Sequence, residues 1–306
     1  MALTLTPELT SVIVVTADSG ELARECIARV LASDVALELL VVDNASTDGE
    51  PERLHEKHSG DPRFRLLRNT SNLGFGAACN RGAVQAHGDA LLFLNPDCLI
   101  EPATLAQLRA VAAEHGHTGV FGVHVLQPSG QPERAIRRRE PTLRRALMTA
   151  SGLARWESQR PGLAGVAMPG RPDAPLEVER VDAVSGACLY VRREAFDRVG
   201  GFDEGYFLHC EDLDLCRRIR DAGWQVEFVP TVKVMHAQGS SSRSRPLFVA
   251  RHKHRSLWRY FRTHDPAARH LALRIAVWCA IWVHFLVSLP GTVWRSRRRR
   301  GFTSGI

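Results

Sequence analysis

The sequence has few of the features that mark secreted, repetitive or fibrous proteins. Its seven cysteines lie far apart and form no Cys-x-x-Cys pair, which is typical of reduced, mostly buried thiols in a cytosolic protein. They are Cys26, Cys79, Cys98, Cys188, Cys210, Cys216 and Cys279. The opening residues, MALTLTPELT, hold no basic stretch followed by an apolar core, so we expect no secretory signal. The sequence has no internal repeat and no long low-complexity segment.

The composition is that of an ordinary globular protein. Of 306 residues, 44% are hydrophobic and 24% are charged, which argues against a disordered or fibrous chain. This length allows one large α/β domain or two small domains. The formal net charge is +7, and arginines cluster within residues 134–145, 243–262 and 295–300. Such clusters indicate an anionic partner (nucleotide phosphate, lipid head groups or nucleic acid), or only solubility and scattered ion pairs.

Short apolar runs alternate with helix-length segments in the first part of the chain. The pattern predicts strands over residues 11–16, 37–42, 64–67 and 90–94, and helices over 21–32 and 77–86. Strands separated by helices predict βαβ units and a mainly parallel sheet. Because such sheets bind ligands beyond the carboxyl ends of their strands, the polar residues found there are candidate site residues. These are Thr16, Asp43 and the segment from Asn95 to Asp97.

The second part of the chain begins irregularly. Residues 127–180 are rich in Pro, Gly and Arg, lack strand periodicity and are interpreted as a variable insertion. Regularity returns with a predicted strand over 181–191, a helix over 213–222 and strand-like runs at 226–229 and 232–235. From residue 251 onward the chain has helical character, basic at first and apolar later.

Two segments suggest contacts with a nucleotide. Asp43 ends a strand and begins the run Asp-Asn-Ala-Ser-Thr-Asp, where a carboxylate can accept hydrogen bonds from a ribose hydroxyl or a base N–H, although the same residues also form capping turns. Asn72 to Asn80 (NLGFGAACN) places glycines at a loop-to-helix junction, where backbone N–H groups can approach phosphate. A dinucleotide fingerprint would follow the first strand and would carry a third glycine, so this segment fits it poorly.

Two other segments suggest catalytic chemistry. Asp97, in Leu-Asn-Pro-Asp just past a buried strand, is placed to bind Mg²⁺ or Mn²⁺, unless the segment is an ordinary turn. Glu211 and Asp212 lie at the start of the helix predicted over 213–222, where the helix dipole favours acids and where a cleft-facing carboxylate can act as general base. His236 ends a later strand; a lone histidine is more often structural, but its imidazole can also bind a metal beside Asp97.

In this order, the segments resemble family-2 glycosyltransferases with a GT-A fold, in particular the bacterial rhamnosyltransferase-like branch. The matching strings span roughly residues 11 to 242 and are VIVVT, LLVVDNASTDG, NTSNLGFGAACNRG, LFLNPDCLIEP, VSGACLYVRREAFDRVGGFDEGYFLHCEDLDLCRRIRDAGW and VKVMHAQGSS. The resemblance implies an α/β, Rossmann-like sheet flanked by helices over 1–242. The domain over 1–242 would then divide into a nucleotide-sugar-binding half (1–126), the insertion (127–180) and an acceptor and catalytic half (181–242). A helical, membrane-associating tail (243–306) would follow it.

The resemblance also implies which residues contact the donor. Thr16 and Asp43 would bind the nucleotide base and ribose, because the strand ends have that role in the family. Asn72, Gly74 and Asn80 would belong to the donor-binding loop.

The metal ligands and the catalytic base are implied in the same way. Asn95 takes the first position of an Asp-x-Asp variant, so that Asp97 would hold Mg²⁺ or Mn²⁺, with His236 as a second ligand as in some relatives. Asp212 would be the catalytic base, with Glu211 beside it. The implied reaction is an inverting transfer from a nucleoside-diphosphate sugar, with dTDP-rhamnose as the guessed donor. The acceptor would be a hydroxyl of a cell-surface polysaccharide or a lipid-linked saccharide.

The apolar part of the tail is long enough for a membrane. At about 1.5 Å per residue, Ile275 to Trp294 would cross a hydrocarbon core of roughly 30 Å. However, Arg295 to Arg300 should stay cytoplasmic, as must a domain that uses cytosolic nucleotide sugar, and one crossing cannot satisfy both. We therefore favour a surface-lying or re-entrant segment on the anionic inner face of the cell membrane, over a true span or a packed helix. This predicts a cytoplasmic, peripherally attached protein.

Three other functions compete with this interpretation. An NAD(P)-dependent oxidoreductase is disfavoured by the misplaced and incomplete glycine motif. A nucleic-acid-binding protein would need a recognition motif with interleaved aromatics, so we expect no nucleic-acid partner. A non-catalytic nucleotide-sugar-binding protein is disfavoured by the intact Asp97 and Asp212, although the sequence leaves it open.

Overall fold

The computed structural model describes residues 9–169, 177–237 and 245–303, with side chains described as far as residue 291. The strands are β1 (Thr10–Thr16), β2 (Leu37–Asp43), β3 (Phe64–Arg68), β4 (Ala90–Leu94), β5 (Cys98–Leu99), β6 (Thr118–Leu126), β7 (Arg137–Arg138), β8 (Glu179–Arg180), β9 (Ala183–Val184), β10 (Cys188–Arg192) and β11 (Gln225–His236). The helices are α1 (Gly20–Leu31), α2 (Glu50–His58), α3 (Phe75–Gln85), α4 (Thr104–Glu114), α5 (Leu143–Ala150), α6 (Arg193–Arg198), α7 (Glu211–Asp221), α8 (Pro246–His264) and α9 (Leu271–Thr303).

A central sheet holds the site in place. Its order is β3-β2-β1-β4-β10-β6-β11-β5, and β8 pairs with Glu227 and Phe228 near the start of β11. β3, β2, β1 and β4 are parallel to one another, β10 runs antiparallel between β4 and β6, and β11 is parallel to β6. The predicted α/β class with a mainly parallel central sheet is therefore confirmed.

The strands at the centre of the sheet are apolar along most of their length. Residues 12–15, 39–42 and 91–94 are all buried, which is expected when helices cover both faces of a parallel sheet. The burial explains why these strands are continuous apolar runs rather than alternating ones.

Several element boundaries differ from the prediction. The predicted strand over 181–191 is two strands, β9 and β10, because the Ser-Gly-Ala segment between them turns so that Gly186 N–H donates to the carboxylate of Asp212. The two runs at 226–229 and 232–235 are one strand, β11, with an irregularity between Val229 and Lys233. α7 begins two residues earlier than predicted, at Glu211.

The insertion contains more structure than its sequence indicates. Within the described part of 127–180, β7 pairs antiparallel with β9, and α5 and short turns follow. A two-residue strand is too short to produce a periodic pattern, so the sequence did not reveal β7. The pairing brings the basic residues Arg137 and Arg138 against Ala183 and Val184.

α8 is tied to the main domain by polar contacts. Arg259 pairs with Asp203 at 2.8 Å, and Ser256 Oγ donates to the Leu208 carbonyl at 2.9 Å. His264 Nε2 lies 2.7 Å from Asp214 Oδ1. Asp214 also pairs with Arg218 one turn along α7, as their i, i+4 spacing predicts. Asp214 is buried rather than at the surface, because α8 covers it.

α9 packs along α8 and is otherwise exposed. Residues 271–291 have a mean hydropathy of 1.9, and this stretch is long and apolar enough to cross a membrane. None of it is buried in the molecule. Pro290 lies inside the helix and does not end it. His284, a polar group within this stretch, is held by His254 of α8, with 3.0 Å between Nδ1 and Nε2. The side chains of Arg295 to Arg300 lie outside the described set.

Candidate active site

A cavity of about 530 Å³ opens where the central strands end. It collects most of the residues predicted for the site, from widely separated parts of the chain. Those that line it are Asn72, Gly74, Asn95, Asp97, Glu211, Asp212 and His236. The predicted acids at positions 97 and 212 therefore face one pocket.

One group of potential metal ligands lies in this cavity. Asp97 follows β4 and His236 ends β11, and Asp97 Oδ1 lies 3.0 Å from His236 Nε2. The other ring nitrogen of His236, Nδ1, lies 2.9 Å from Glu133 Oε1. Burial alone would lower the pKa of His236, but hydrogen bonds and charge from both carboxylates raise it to about 10. At neutral pH both ring nitrogens of His236 therefore carry a proton and donate to the two carboxylates.

Cys98 lies close enough to Asp97 and His236 to be considered as a third ligand. Its thiol is fully buried, and burial raises its pKa well above the usual range. The predicted cations, Mg²⁺ and Mn²⁺, prefer carboxylate, carbonyl and water oxygens to a soft sulfur ligand. The structure thus brings together the two predicted ligands, the carboxylate of Asp97 and the imidazole of His236, and Glu133 is bonded to the other ring nitrogen of His236.

The two neighbouring acids at the start of α7 have different surroundings. The backbone before them is left-handed at His209 (φ 67°) and Cys210 (φ 66°), a conformation that is costly for residues other than glycine. Asp212 accepts hydrogen bonds at 2.8 Å from the N–H groups of Gly186 and Leu213. Its carboxylate also forms an ion pair with Arg138 of β7.

These surroundings shift the two pKa values in opposite directions. Burial opposes ionisation of Asp212, but the charge and hydrogen bonds of Arg138, with the two backbone N–H groups, lower its pKa. Burial, together with the negative charge of Asp212, raises the pKa of Glu211 to about 8. Glu211 Oε2 is buried and has no hydrogen-bond partner among the described residues. At neutral pH Asp212 is thus ionised and suited to accept a proton, whereas Glu211 is neutral.

Thr16 and Asp43 end neighbouring parallel strands but are not among the described residues that line the cavity. Thr16 Oγ1 donates to Asp43 Oδ1 at 3.2 Å, and Ser46 N–H donates to the same carboxylate at 3.2 Å. Asp43 is fully buried. These are the contacts of a capping turn, which shapes the loop that follows β2.

The loop before α3 is fixed by contacts on both sides. Asn44 Nδ2 donates to the Gly74 carbonyl at 3.1 Å, and Asn72 Oδ1 accepts from Gly74 N–H at 2.9 Å. Gly74 has φ 88°, and a Cβ there would lie 2.5 Å from the carbonyl oxygen of Phe207. Glycine is therefore required because two backbone segments touch, and this contact holds Asn72 at the cavity wall.

Asn80 is placed away from the cavity lining. Its Nδ2 donates to the Phe202 carbonyl at 2.9 Å and to Glu204 at 3.0 Å, and its Oδ1 accepts from Phe202 N–H at 2.8 Å. These bonds join α3 to the Gly-Gly-Phe-Asp-Glu loop that leads to α7. In contrast, Asn95 lines the cavity, with its backbone N–H bonded to the Ala187 carbonyl at 2.9 Å.

Several residues at the cavity wall were not assigned from the sequence. They are Asp18, Ser19, Asn44, Glu133, His209, Arg245 and Phe248. Asp18 follows the first strand, so its position at a strand end was an available signal. Glu133 comes from the insertion, and nothing in its local sequence points to the site. Arg245 immediately precedes α8 and belongs to the arginine cluster at 243–262, which indicated an anionic partner but not this cavity.

Arg138 was also missed, although the sequence contains it in an arginine cluster. The structure gives this cluster anionic partners within the chain itself: Arg137 pairs with Glu179, Arg138 with Asp212, and Arg139 with Glu157. A second cavity of about 540 Å³ lies in the insertion beside Arg137 and Arg139. None of the residues predicted for the site lines it.

Two family models and a curated relative match the chain. The model of the family described as glycosyl transferase family 2 matches residues 11–199. The model described as the N-terminal domain of galactosyltransferase matches residues 178–238. An N-acetylglucosaminyl-diphospho-decaprenol L-rhamnosyltransferase of Mycobacterium tuberculosis is 31% identical over 282 residues, which cover 88% of this chain and 89% of the relative.

Two solved structures share the fold. The mannosyltransferase PcManGT from Pyrobaculum calidifontis, in complex with GDP-Man and Mn²⁺, matches with a TM-score of 0.57 and 19% identity, over 99% of this chain and 77% of that one. GalNAc-T7 with UDP, GalNAc and Mn²⁺ matches with a TM-score of 0.55 and 18% identity, over 77% of this chain and 45% of that one. At these identities the likeness concerns the fold alone.

Proposed function

Because the chain belongs to glycosyl transferase family 2, we propose that it moves a sugar from a nucleoside-diphosphate sugar to an acceptor hydroxyl by one inverting displacement that depends on a divalent cation. The observation that carries this proposal is the common cavity, which is lined both by Asp97 and His236 and by Glu211 and Asp212. A cation site and a general base in one pocket are the two components that such a transfer needs.

Asp97 and His236 are the proposed ligands of Mg²⁺ or Mn²⁺. Their ligand atoms lie 3.0 Å apart across a hydrogen bond, and a carboxylate with an imidazole leaves further coordination positions to water and to the substrate diphosphate. When bound, the cation supplies Lewis-acid neutralisation of the charge that develops on the leaving diphosphate. The Mn²⁺ in both related structures supports this part of the proposal.

Asp212 is the proposed general base. As the acceptor oxygen forms its bond to the anomeric carbon, the proton of the acceptor hydroxyl passes to Asp212. The bond from the anomeric carbon to the diphosphate breaks, and its electron pair leaves with the diphosphate. A single displacement of this kind inverts the anomeric configuration. Loss of one well-placed base costs about 10²–10⁴-fold in rate.

The donor nucleotide is proposed to bind along the ends of β1, β2 and β4. Asn72, Gly74 and Asn95 line the cavity, which supports direct contact with the donor. The buried Thr16–Asp43 pair would shape the wall against which the base and ribose lie, and Asn80 would hold the neighbouring loop. We propose dTDP-rhamnose as the donor, since the Mycobacterium tuberculosis relative is named a rhamnosyltransferase.

The acceptor is proposed to be a saccharide linked to a lipid diphosphate. The name of the same relative describes an acceptor of that kind. In this chain, Arg245 just before α8 and Phe248 and Val249 in its first turn line the cavity, and α9, which packs on α8, exposes an apolar surface. Attachment of α9 to the inner face of the cell membrane would bring a membrane-bound acceptor to the cavity from the cytoplasmic side.

The test is to incubate the purified chain with Mn²⁺ or Mg²⁺, a panel of nucleotide sugars and a short-chain polyprenyl-diphosphate N-acetylglucosamine, and to measure nucleoside diphosphate release and glycosylated product. We expect turnover with at least one donor and its loss on chelation of the metal. Asp212→Asn should bind the donor with normal affinity and lose transfer by at least about 10²-fold.

Near-normal turnover of Asp212→Asn would contradict the assignment of the base. Donor binding without transfer by the unmodified chain, across the whole panel, would favour a non-catalytic nucleotide-sugar-binding protein instead.

A further inference from the structure

The insertion reaches the catalytic carboxylate through one side chain. Arg138 lies on β7, which pairs with β9, and its guanidinium forms an ion pair with Asp212. A second bond, of 2.7 Å, runs from Arg138 Nη2 to the Val184 carbonyl. Both groups of the ion pair are mostly buried, with 14% and 12% of their side chains exposed. This contact joins a segment that looks variable in sequence to the proposed base.

The neighbours of Arg138 point elsewhere. Side chains alternate between the two faces of an extended segment. Accordingly, Arg137 pairs with Glu179 and Arg139 pairs with Glu157, both beside the second cavity. Three consecutive arginines thus have three different acidic partners, and Arg138 is the one that reaches α7.

Both oxygens of Asp212 are oriented by donors. Oδ1 accepts from Leu213 N–H at 2.8 Å and lies 3.4 Å from Arg138 Nη1. Oδ2 accepts from Gly186 N–H at 2.8 Å and from Arg138 Nη2. The guanidinium is the one full positive charge among these donors, so it contributes most to keeping the buried carboxylate ionised.

Other titratable groups also face this pair, and they come from several elements. They are Glu211, Cys216 and Arg220 on α7, His209 and Cys210 just before it, and Lys253 on α8. Burial raises the pKa of both thiols, to about 12 for Cys216, and lowers the pKa of His209 to about 4, so these groups are neutral at pH 7. Arg220 is paired with Glu140. Of the cations in this set, Arg138 is the one that forms an ion pair with Asp212 within the described residues.

We propose that Arg138 is a positioning residue, which holds Asp212 ionised and aimed at the cavity so that Asp212, rather than Glu211, receives the proton of the acceptor. This inference rests on the proposed function. Without the guanidinium, two adjacent buried carboxyl groups would compete for one proton, and the neutral form of Asp212 would persist to higher pH. Neutral Asp212 cannot act as a base.

The proposal predicts a change in pH dependence that a merely structural arginine would not produce. In Arg138→Gln the acidic limb of kcat should move to higher pH by about one to three units, because a nearby opposite charge lowers a carboxyl pKa by that amount. Activity should be lost most at low pH and recover in part at high pH. Arg138→Lys restores a positive charge and should return the limb most of the way toward its original position.

The experiment measures kcat against pH for the unmodified chain, Arg138→Gln, Arg138→Lys and the matched control Arg139→Gln, which removes the neighbouring arginine and its bond to Glu157. A second readout needs no turnover: the side-chain carboxyl ¹³C signal of Asp212, assigned by its loss in Asp212→Asn, is titrated in the same variants. If Arg138→Gln does not fold, Arg138→Lys and the unmodified chain still give the comparison. Lysine forms a weaker, monodentate pair, which should raise the pH midpoint of the Asp212 carboxyl titration measurably.

An Asp212 signal that titrates at the same pH with and without the Arg138 guanidinium would overturn the inference, as would an equal shift in Arg139→Gln. These outcomes differ from failure of the proposed function. In that case no donor is turned over, but the carboxyl titration still reports on the role of Arg138.

Discussion

Glu211 and Asp212 are neighbours in the chain and experience opposite environments. Asp212 is surrounded by Arg138 and two backbone N–H groups, whereas Glu211 has a buried oxygen with no hydrogen-bond partner in the described part of the chain. On a helix, adjacent side chains point about 100° apart, so one turn can present two carboxyl groups to two different surroundings. The protonation states of the pair follow from this geometry.

The raised pKa of Glu211, about 8, predicts an alkaline limit to activity. Below that pH Glu211 is neutral; above it, a second negative charge appears beside Asp212 and should repel the diphosphate and disturb the site. Glu211→Gln keeps a neutral side chain of similar size, so we expect activity within several-fold of normal at pH 7 and loss of the limb near pH 8. The measurement is kcat/KM across the neutral and alkaline range.

Stability supplies an independent readout of the same residue. Because the folded pKa of Glu211 lies above its ordinary value of 4.5, the folded state binds the proton more tightly, and stability falls as the pH rises from about 4.5 to about 8. Glu211→Gln should remove this component. The control is Asp221→Asn at the exposed far end of α7, which should change neither the pH dependence of kcat/KM nor that of stability. An unchanged alkaline limb of kcat/KM in Glu211→Gln would contradict the assignment of that limb to Glu211.

The loop before α3 shows how an element depends on a single backbone contact. At Gly74 the chain passes so close to residue 207 that Phe75 N–H donates to the Phe207 carbonyl at 3.0 Å. A side chain on Gly74 would have to adopt φ 88° and displace that carbonyl. The contact connects the proposed donor loop with the segment leading into α7.

Gly74→Ala is therefore expected to destabilise the fold by about 1–3 kcal/mol, the usual range for a residue forced into a sparsely populated backbone region. It should also raise KM for the donor more than it lowers kcat, because Asn72 would move with the loop. Thermal unfolding and steady-state kinetics measure the two effects. Gly60→Ala is the control, since a Cβ at Gly60 meets no atom within 4 Å; equal effects of the two changes would refute the argument.

On the scale of the whole molecule, α8 connects the proposed catalytic cavity with an apolar helix. Its first turn lines the cavity, its middle is fixed by Asp203 and Leu208, and its last turn is bonded to Asp214. α9 then exposes Ile275 and Val287, with more than half of each side chain accessible. An apolar surface of this kind on a helix that packs mainly against α8 indicates a further contact, which we propose to be the membrane.

A chain that ends at His270 should fail to bind vesicles containing anionic lipid, whereas the full chain should float with them. The double change Ile275→Gln and Val287→Gln should weaken binding without removing the helix. Flotation of the full chain, the truncated chain and the double variant with vesicles at low and high salt measures this binding. Val84→Gln, at an exposed apolar residue on α3, is the control; binding of the truncated chain at the level of the full chain would exclude α9 as the anchor.

Much of the fold could be predicted from local patterns. The continuous apolar runs of β1, β2 and β4 predicted buried parallel strands because both faces of those strands must be covered. The positions of Asn95 and Asp97 followed from the end of β4, whereas Glu211 and Asp212 were expected at a helix start two residues from where α7 begins. In contrast, the two-residue strands β7 and β8 left no periodic signal, since a period needs several residues to appear. β9 was predicted, but as part of one strand with β10.

Local sequence was enough to predict the family, the class of sheet and the acids at the strand and helix ends, because these predictions depend on residue type and on spacing along the chain. Which charges meet depends instead on how the chain folds: Arg138 lies 74 residues before Asp212, and Glu133 lies 103 residues before His236. Electrostatic interactions act through space and depend on burial, so the protonation of each carboxyl group was settled by partners that local sequence cannot identify.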